Sequence, residues 1–338
     1  MRTIGPVLRS WQSRLQNCYS VCLLVFLLLA MAPPAFPAEE KDRTILLGEH
    51  LSLGLKTQYL FKSHTSYEFG NPYPPYQAPL SRLEFPLDSW WGGAELRVVF
   101  PRLSIGAEAL TNLSREAAGE MKDSDWLDEA RPRVKTIYSE SRCRMEPSWM
   151  VRADMDLKIS DWLRLPGWLD LRPVAGFRWQ NFNLVTHDGF QHYLTEEWPL
   201  YPLPGDGIAF EQTYWHYFLG MRAGVDFGKR LMLKSLATLL QFDWAYVEGH
   251  NEDHHLLRAG SRYTYENTYG QAWHGSIGLK AGVAERLYLD LAADFLAVST
   301  SGSHRLVNAP FDMDMTFSHG VRVWSAQNSV SLKLQYVF

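Results

Sequence analysis

The feature that most constrains this chain is strict alternation of apolar and polar residues, in one short segment after another. It is clearest at residues 330–338, where Val330, Leu332, Leu334, Tyr336 and Phe338 are apolar and the intervening positions are polar except Val337. A period of two is the mark of a β-strand with two unlike faces. The pattern recurs at 151–159 and 287–295. Weaker versions run through 51–61, 94–100, 103–109, 169–179, 215–227, 236–246 and 273–283, which makes ten segments, an even number. No helical period of any length interrupts them.

Alternation by itself fits two architectures. A soluble sandwich buries the apolar face and shows the polar one to water. A membrane barrel does the reverse, with apolar side chains to lipid and polar ones to the lumen. Other features decide between them. Residues 1–38 carry Arg2, Arg9 and Arg14 and no acid, then an apolar run over 21–32, then small residues and prolines. This is the order of a secretory signal peptide, and the run is shorter than the roughly 20 residues of a membrane-spanning helix. The sequence therefore predicts a signal peptide over 1–38 and a single barrel domain over 39–338. Trp149, Trp179, Trp215, Trp244, Trp273, Tyr217, Tyr246 and Tyr336 lie towards segment ends, where the aromatic girdles of a barrel belong. The final strand ends on Phe338, which resembles the assembly signal of outer-membrane barrels.

The connections differ in length. They are short at 101–102, 228–229 and 284–286, and long at 62–82, 111–148, 186–208, 247–262 and 300–318. With ten strands, all five long connections fall at one end. The predicted fold is all-β: a ten-stranded antiparallel transmembrane β-barrel with long extracellular loops and short periplasmic turns. A ten-stranded lumen is narrow, and opposing charges such as Arg97, Arg152, Asp154, Asp156, Arg172 and Arg222 should plug it rather than leave a pore.

Composition removes other classes. The net charge is −4 with no basic stripe, which argues against a nucleic-acid partner. Cys18 and Cys22 leave with the signal peptide, so Cys143 stands alone in the mature chain and can form no internal disulfide. No base lies beside it in sequence, so it reads as a loop residue and not a nucleophile.

Two short motifs carry chemistry. Asp123 and Asp125 stand at i and i+2, on one side of an extended backbone. Two acids that close cannot both ionise freely, so one holds a proton near neutral pH. On its own Asp-x-Asp is a common feature of solvated polar loops. Asp253 and His255 repeat the spacing, and there a carboxylate can orient an imidazole, half of a general-base apparatus. The two motifs fall in the second and fourth long connections, across the mouth from each other. A metal site built from His250, His254 and Asp253 can be drawn, but the spacing matches no zinc-peptidase pattern, and no metal is expected.

Together these residues resemble the omptin family, ten-stranded outer-membrane endopeptidases. The resemblance runs from about Leu51 to Phe338 and is most specific at 103–107, at 121–128, at Glu140-Ser141-Arg142, at 247–255 and in the closing strand. It implies that Asp123, Asp125, Asp253 and His255 are the catalytic groups of an aspartic-type endopeptidase with no cofactor. It further implies a monomer in the cell outer membrane, in contact with outer-membrane lipid. Its active site would face the extracellular side and take peptide or protein substrates.

The resemblance also implies cleavage between basic residues, selected by acids in the subsites. Here two of the aligned positions are Ser139 and Asn251, and Glu68 takes the place of a third acid. A relaxed basic-site preference follows. Family activity also depends on lipopolysaccharide held by basic residues on the outer wall. The aligned positions, Asn181 and Thr213, are uncharged, so the sequence does not support that requirement. Residues 162–168 look like an insertion at a periplasmic turn. The alternative function is a catalytically weak adhesion or binding barrel of the same fold, and a plain porin stands behind it.

Overall fold

A computed structural model describes residues 50–338, apart from 72–76, 195–199, 229–232, 259 and 261. The expected signal peptide, with Cys18 and Cys22, lies outside the described residues, as does part of the turn expected at 228–229. Thirteen strands form one antiparallel sheet that closes on itself. In chain order they are β1 (His50–Phe69), β2 (Ser81–Pro86), β3 (Ser89–Val99), β4 (Leu103–Asn112), β5 (Glu116–Asp125), β6 (Ile137–Met145) and β7 (Trp149–Leu157). Then come β8 (Leu169–Tyr193), β9 (Tyr201–Asp226), β10 (Ser235–His255), β11 (Arg262–Gly282), β12 (Leu287–Asn308) and β13 (Met313–Val337). β1 pairs with β13 from Ser52↔Val337 to Phe69↔Val321, which closes the ring.

Thirteen strands make ten staves. β1 pairs with β3 along its first half and with β2 along its second. β4 and β5 form one broken stave in the same way, and β6 and β7 another, since β8 pairs with β6 at one end and β7 at the other. The breaks are stitched locally. The Asp88 carboxylate accepts the backbone N–H groups of Lys62 and Ser63 at 2.8 and 2.6 Å. Asn112 Oδ1 accepts the Ser148 N–H at 2.9 Å.

β10 shows how the chemistry of the faces sets the position of the membrane. Its odd positions, from Asp243 through Ala245 and Val247 to Asn251 and Asp253, are buried in the lumen. Phe242, Trp244 and Tyr246 face outwards and are exposed. Beyond Tyr246 the outward residues become Glu248, His250, Glu252 and His254, so the apolar band ends there. Tyr246 stacks on Tyr217, and on the far side of the barrel Tyr59 packs at a tilt against Trp90, with ring centroids 4.8 Å apart. These rings belong to one girdle. The staves continue well past it. Asp253 lies seven residues beyond Tyr246, roughly 20 Å further along the strand.

The lumen has three tiers. At the base, within the band, Asp154 contacts Arg97 and Arg152 at 3.0 Å each and Arg222 at 3.3 Å. Asp156 contacts Arg172 at 2.9 Å and Arg97 at 3.4 Å, and also Arg222. These side chains line a cavity of about 240 Å³ at the base of the barrel. Above them lies an apolar layer that includes Phe85, Leu87, Trp91, Phe182, Leu184 and Phe210, each at most 2% exposed. The third tier is the mouth.

Candidate active site

The mouth is built on strands rather than on loops. Asp123 and Asp125 end β5, and Asp253 and His255 end β10. The stretches 111–148 and 247–262, read from sequence as loops, largely continue as paired strand. Asp123 lies level with Leu83 on β2 and Ser139 on β6, and Leu83 lies level with Tyr67 on β1. Tyr67, Asp123 and Ser139 therefore share one row around the wall. Asp253 stands on another wall, between Phe210 on β9 and Thr264 on β11.

Tyr67 joins the walls. Its hydroxyl donates to Asp253 Oδ2, and neither residue is exposed to solvent. His255 Nε2 lies 3.4 Å from the same oxygen, with its side chain 12% exposed. Asp253 Oδ1 is buried without a hydrogen-bond partner among the described residues, and so is Asp123 Oδ1.

Electrostatics couple the two motifs. Burial and then the Asp125 charge raise the Asp123 carboxyl to about 7, while His255 and Arg258 oppose the rise and Asp253 adds to it. This side chain can hold a proton at neutral pH. Burial also works to raise Asp253, but His255, the Tyr67 hydroxyl and Arg262 outweigh it and hold the carboxyl below its ordinary range. One carboxylate is thus held charged beside the imidazole, and an acid that can carry a proton near neutral pH stands on the other wall.

The three specificity positions fare differently. Asn251 is buried two residues below Asp253 on the same face, and its Oδ1 accepts from Gln212 Nε2 at 3.1 Å. Gln212 in turn accepts from Thr65 at 2.6 Å. Ser139 is buried in the row of Asp123. Glu68 lies on the outer face of β1, where it accepts from Arg82 Nε at 2.8 Å beneath Trp324, and the inward place beside it belongs to Tyr67. Glu252 also faces outwards, beside Tyr265. His250 and His254 share that outward face, with His254 stacked on Tyr263, so they do not converge with Asp253 on one point. Cys143 is buried, and burial pushes its thiol up to about 12, too high for a nucleophile at neutral pH.

Sequence reading missed Tyr67, Arg258, Arg262 and Glu266. Glu266 is fully buried on β11, where burial raises its carboxyl and His304 Nδ1 sits 2.8 Å from Oε1. No local pattern marks any of the four. Unbroken alternation of β1 would turn Tyr67 outwards; the register shift between Phe61 and His64 turns it in.

Carboxylates and an imidazole gathered at one mouth of a closed ten-stave barrel are an arrangement that can perform acid–base chemistry. The Omptin family model matches residues 91–338. The chain belongs to the omptin family, and thereby to the outer-membrane proteases. Among solved structures it is similar to the outer membrane protease OmpT from Escherichia coli, at 15% identity and a TM-score of 0.74, covering 86% of this chain and 97% of that one. The translocator domain of the autotransporter NalP from Neisseria meningitidis follows at 9% identity and a TM-score of 0.36, covering 86% of this chain and 89% of that one. No curated protein matches the sequence.

Proposed function

We propose that the protein is an endopeptidase in which water is the nucleophile, activated by Asp253 and His255 opposite the Asp123/Asp125 pair. The observation that carries this reading is the meeting of the two motifs in one electrostatic unit at the mouth. Asp253 holds His255 through Nε2, which leaves Nδ1 to take a proton from water. The hydroxide equivalent attacks the peptide carbonyl. The proton held by the Asp123/Asp125 pair passes to the developing oxyanion or to the leaving amine, and the imidazolium returns its own. No serine or cysteine is required.

The site faces the extracellular side in this reading, since the staves rise far beyond the girdle only at the mouth. The protein acts as a monomer, with no cofactor. Basic residues are accepted at the cleavage site without a strict rule, because Ser139 and Asn251 are neutral. They can accept hydrogen bonds from a guanidinium, but such bonds are weaker than ion pairs. Glu68, held by Arg82 on the outer face, adds little to that preference unless the pair opens. Asn181 and Thr213 bond to each other at 3.0 Å, and Asn181 bonds to Glu211 at 2.9 Å, a neutral-to-acidic patch that does not call for a lipopolysaccharide phosphate.

The test is incubation of the refolded barrel with a random peptide library, with cut sites read by mass spectrometry, beside His255→Ala. Cleavage that disappears in the variant supports the reading. A folded wild type that cuts nothing would leave the binding-barrel alternative.

A further inference from the structure

The Asp253–His255 pair leaves one strong contact unexplained. The Tyr67 hydroxyl donates to Asp253 Oδ2, the very oxygen that faces His255 Nε2. The ring is not free to leave. It stacks on Phe210 with centroids 5.6 Å apart and planes within 12°, and Phe210 stacks in turn on Phe85 at 4.2 Å and 5°. Tyr67, Phe85 and Phe210 are all at most 2% exposed, so water cannot replace the phenol. Because Tyr67 stands in the row of Asp123, its hydroxyl links that wall to Asp253.

We infer that Tyr67 is a positioning residue of the catalytic dyad: it holds the Asp253 carboxylate in one rotamer and shares its charge with His255. This rests on the reading of Asp253 and His255 as the general-base pair. A carboxylate oxygen that accepts from both a phenol and an imidazole gives each less than it would give alone. The phenol thus limits how strongly Asp253 stabilises the imidazolium, and keeps the imidazole free to take a proton from water. Burial, then the Asp253 and Glu266 charges, push the phenol well above its usual range, so it stays a donor wherever the enzyme works. The other charged group acting on it is Arg262 on β11, and Glu266 is itself bonded to His304 on β12.

The experiment is Tyr67→Phe, which keeps the ring stack and removes only the hydroxyl. Without that donor the full carboxylate charge falls on His255. Protonation of both members becomes easier, and the acid limb of kcat/KM moves to higher pH. We expect kcat to fall about tenfold with KM within about twofold of wild type, as for loss of a hydrogen bond to a charged group. Site-specific 3-fluorotyrosine at position 67, a stronger donor, should move the limb the other way and keep the activity. It also decides the matter if Tyr67→Phe fails to show the heat-modifiable gel mobility of a folded barrel. A folded Tyr67→Phe with an unmoved acid limb overturns the proposal, whether or not kcat falls, because a merely structural ring would not set the limb. If His255→Ala keeps wild-type activity, the dyad reading fails and Tyr67 fails with it. If His255→Ala is inactive while Tyr67→Phe matches wild type, only the role of Tyr67 is lost.

Discussion

The base and the mouth of the lumen are made from the same strands and the same kinds of side chain, yet their charges are arranged in opposite ways. At the base, Asp154 and Asp156 each contact three arginines. At the mouth, Asp123 and Asp253 each keep a buried oxygen without a partner among the described residues. A buried charge surrounded by opposite charges is neutralised and held still. A buried acid left partly unmatched keeps a raised or depressed proton affinity that can be used. The buried apolar side chains of Phe85, Phe182 and Phe210 lie between the two. The lesson is that charge inside this barrel is structural where it is paired and chemical where pairing is withheld.

That contrast can be broken most sharply at the mouth. His255→Ala, Asp253→Asn or Asp123→Asn should each lower turnover about a thousandfold or more, with the barrel still folded by heat-modifiable mobility. The losses should not add, because the four groups act as a unit. A quadruple variant that cleaves at the wild-type rate would remove the site.

The matching change at the base should do the opposite. Asp156→Ala strips a partner from Arg97, Arg172 and Arg222 and should cost about 3–5 kcal/mol of stability. It would appear as a lower unfolding temperature, while turnover per folded molecule stays at the wild-type value. A fall in turnover with no fall in stability would mean that the base is not insulated from the mouth.

A smaller effect tests whether the neutral subsites relax specificity. The double variant Asn251→Asp, Ser139→Asp should favour cuts at basic pairs by about tenfold over wild type on one peptide library, with greater sensitivity to salt. A wild type that already cuts only between basic residues would show that other groups carry the charge.

The finest test uses pH. Asp123 is raised to about 7, so activity should decline as pH rises through that value and the pair loses its proton. A raised carboxyl also weakens the fold as pH climbs from the ordinary carboxylate range to about 7, since the unfolded chain ionises first. Asp123→Asn should therefore unfold at a higher temperature than wild type above pH 7 and at about the same temperature near pH 4. Equal behaviour at both would mean that the pair does not share a proton.

The sequence alone determined the ten staves and their faces, because lipid outside and charge inside impose a strict period of two. Each of the ten alternating segments lies wholly or largely on a stave, within or close to the apolar band. It missed β2, β5, β6 and the far ends of β8 to β13, since these lie beyond the lipid-facing band, where the outward face is no longer apolar while strand pairing continues. Asp123, Asp125, Asp253 and His255 were legible as two motifs with the right spacing. Their placement across the mouth followed from the order of the connections, but which side chains turn inwards there did not, because that depends on register, a property of paired strands and not of any one of them. The same holds for Tyr67 and Glu68. In sequence the acid is the evident candidate, but a bulge between Phe61 and His64 sets the facing of β1. The phenol turns inwards to Asp253 and the acid turns out to Arg82.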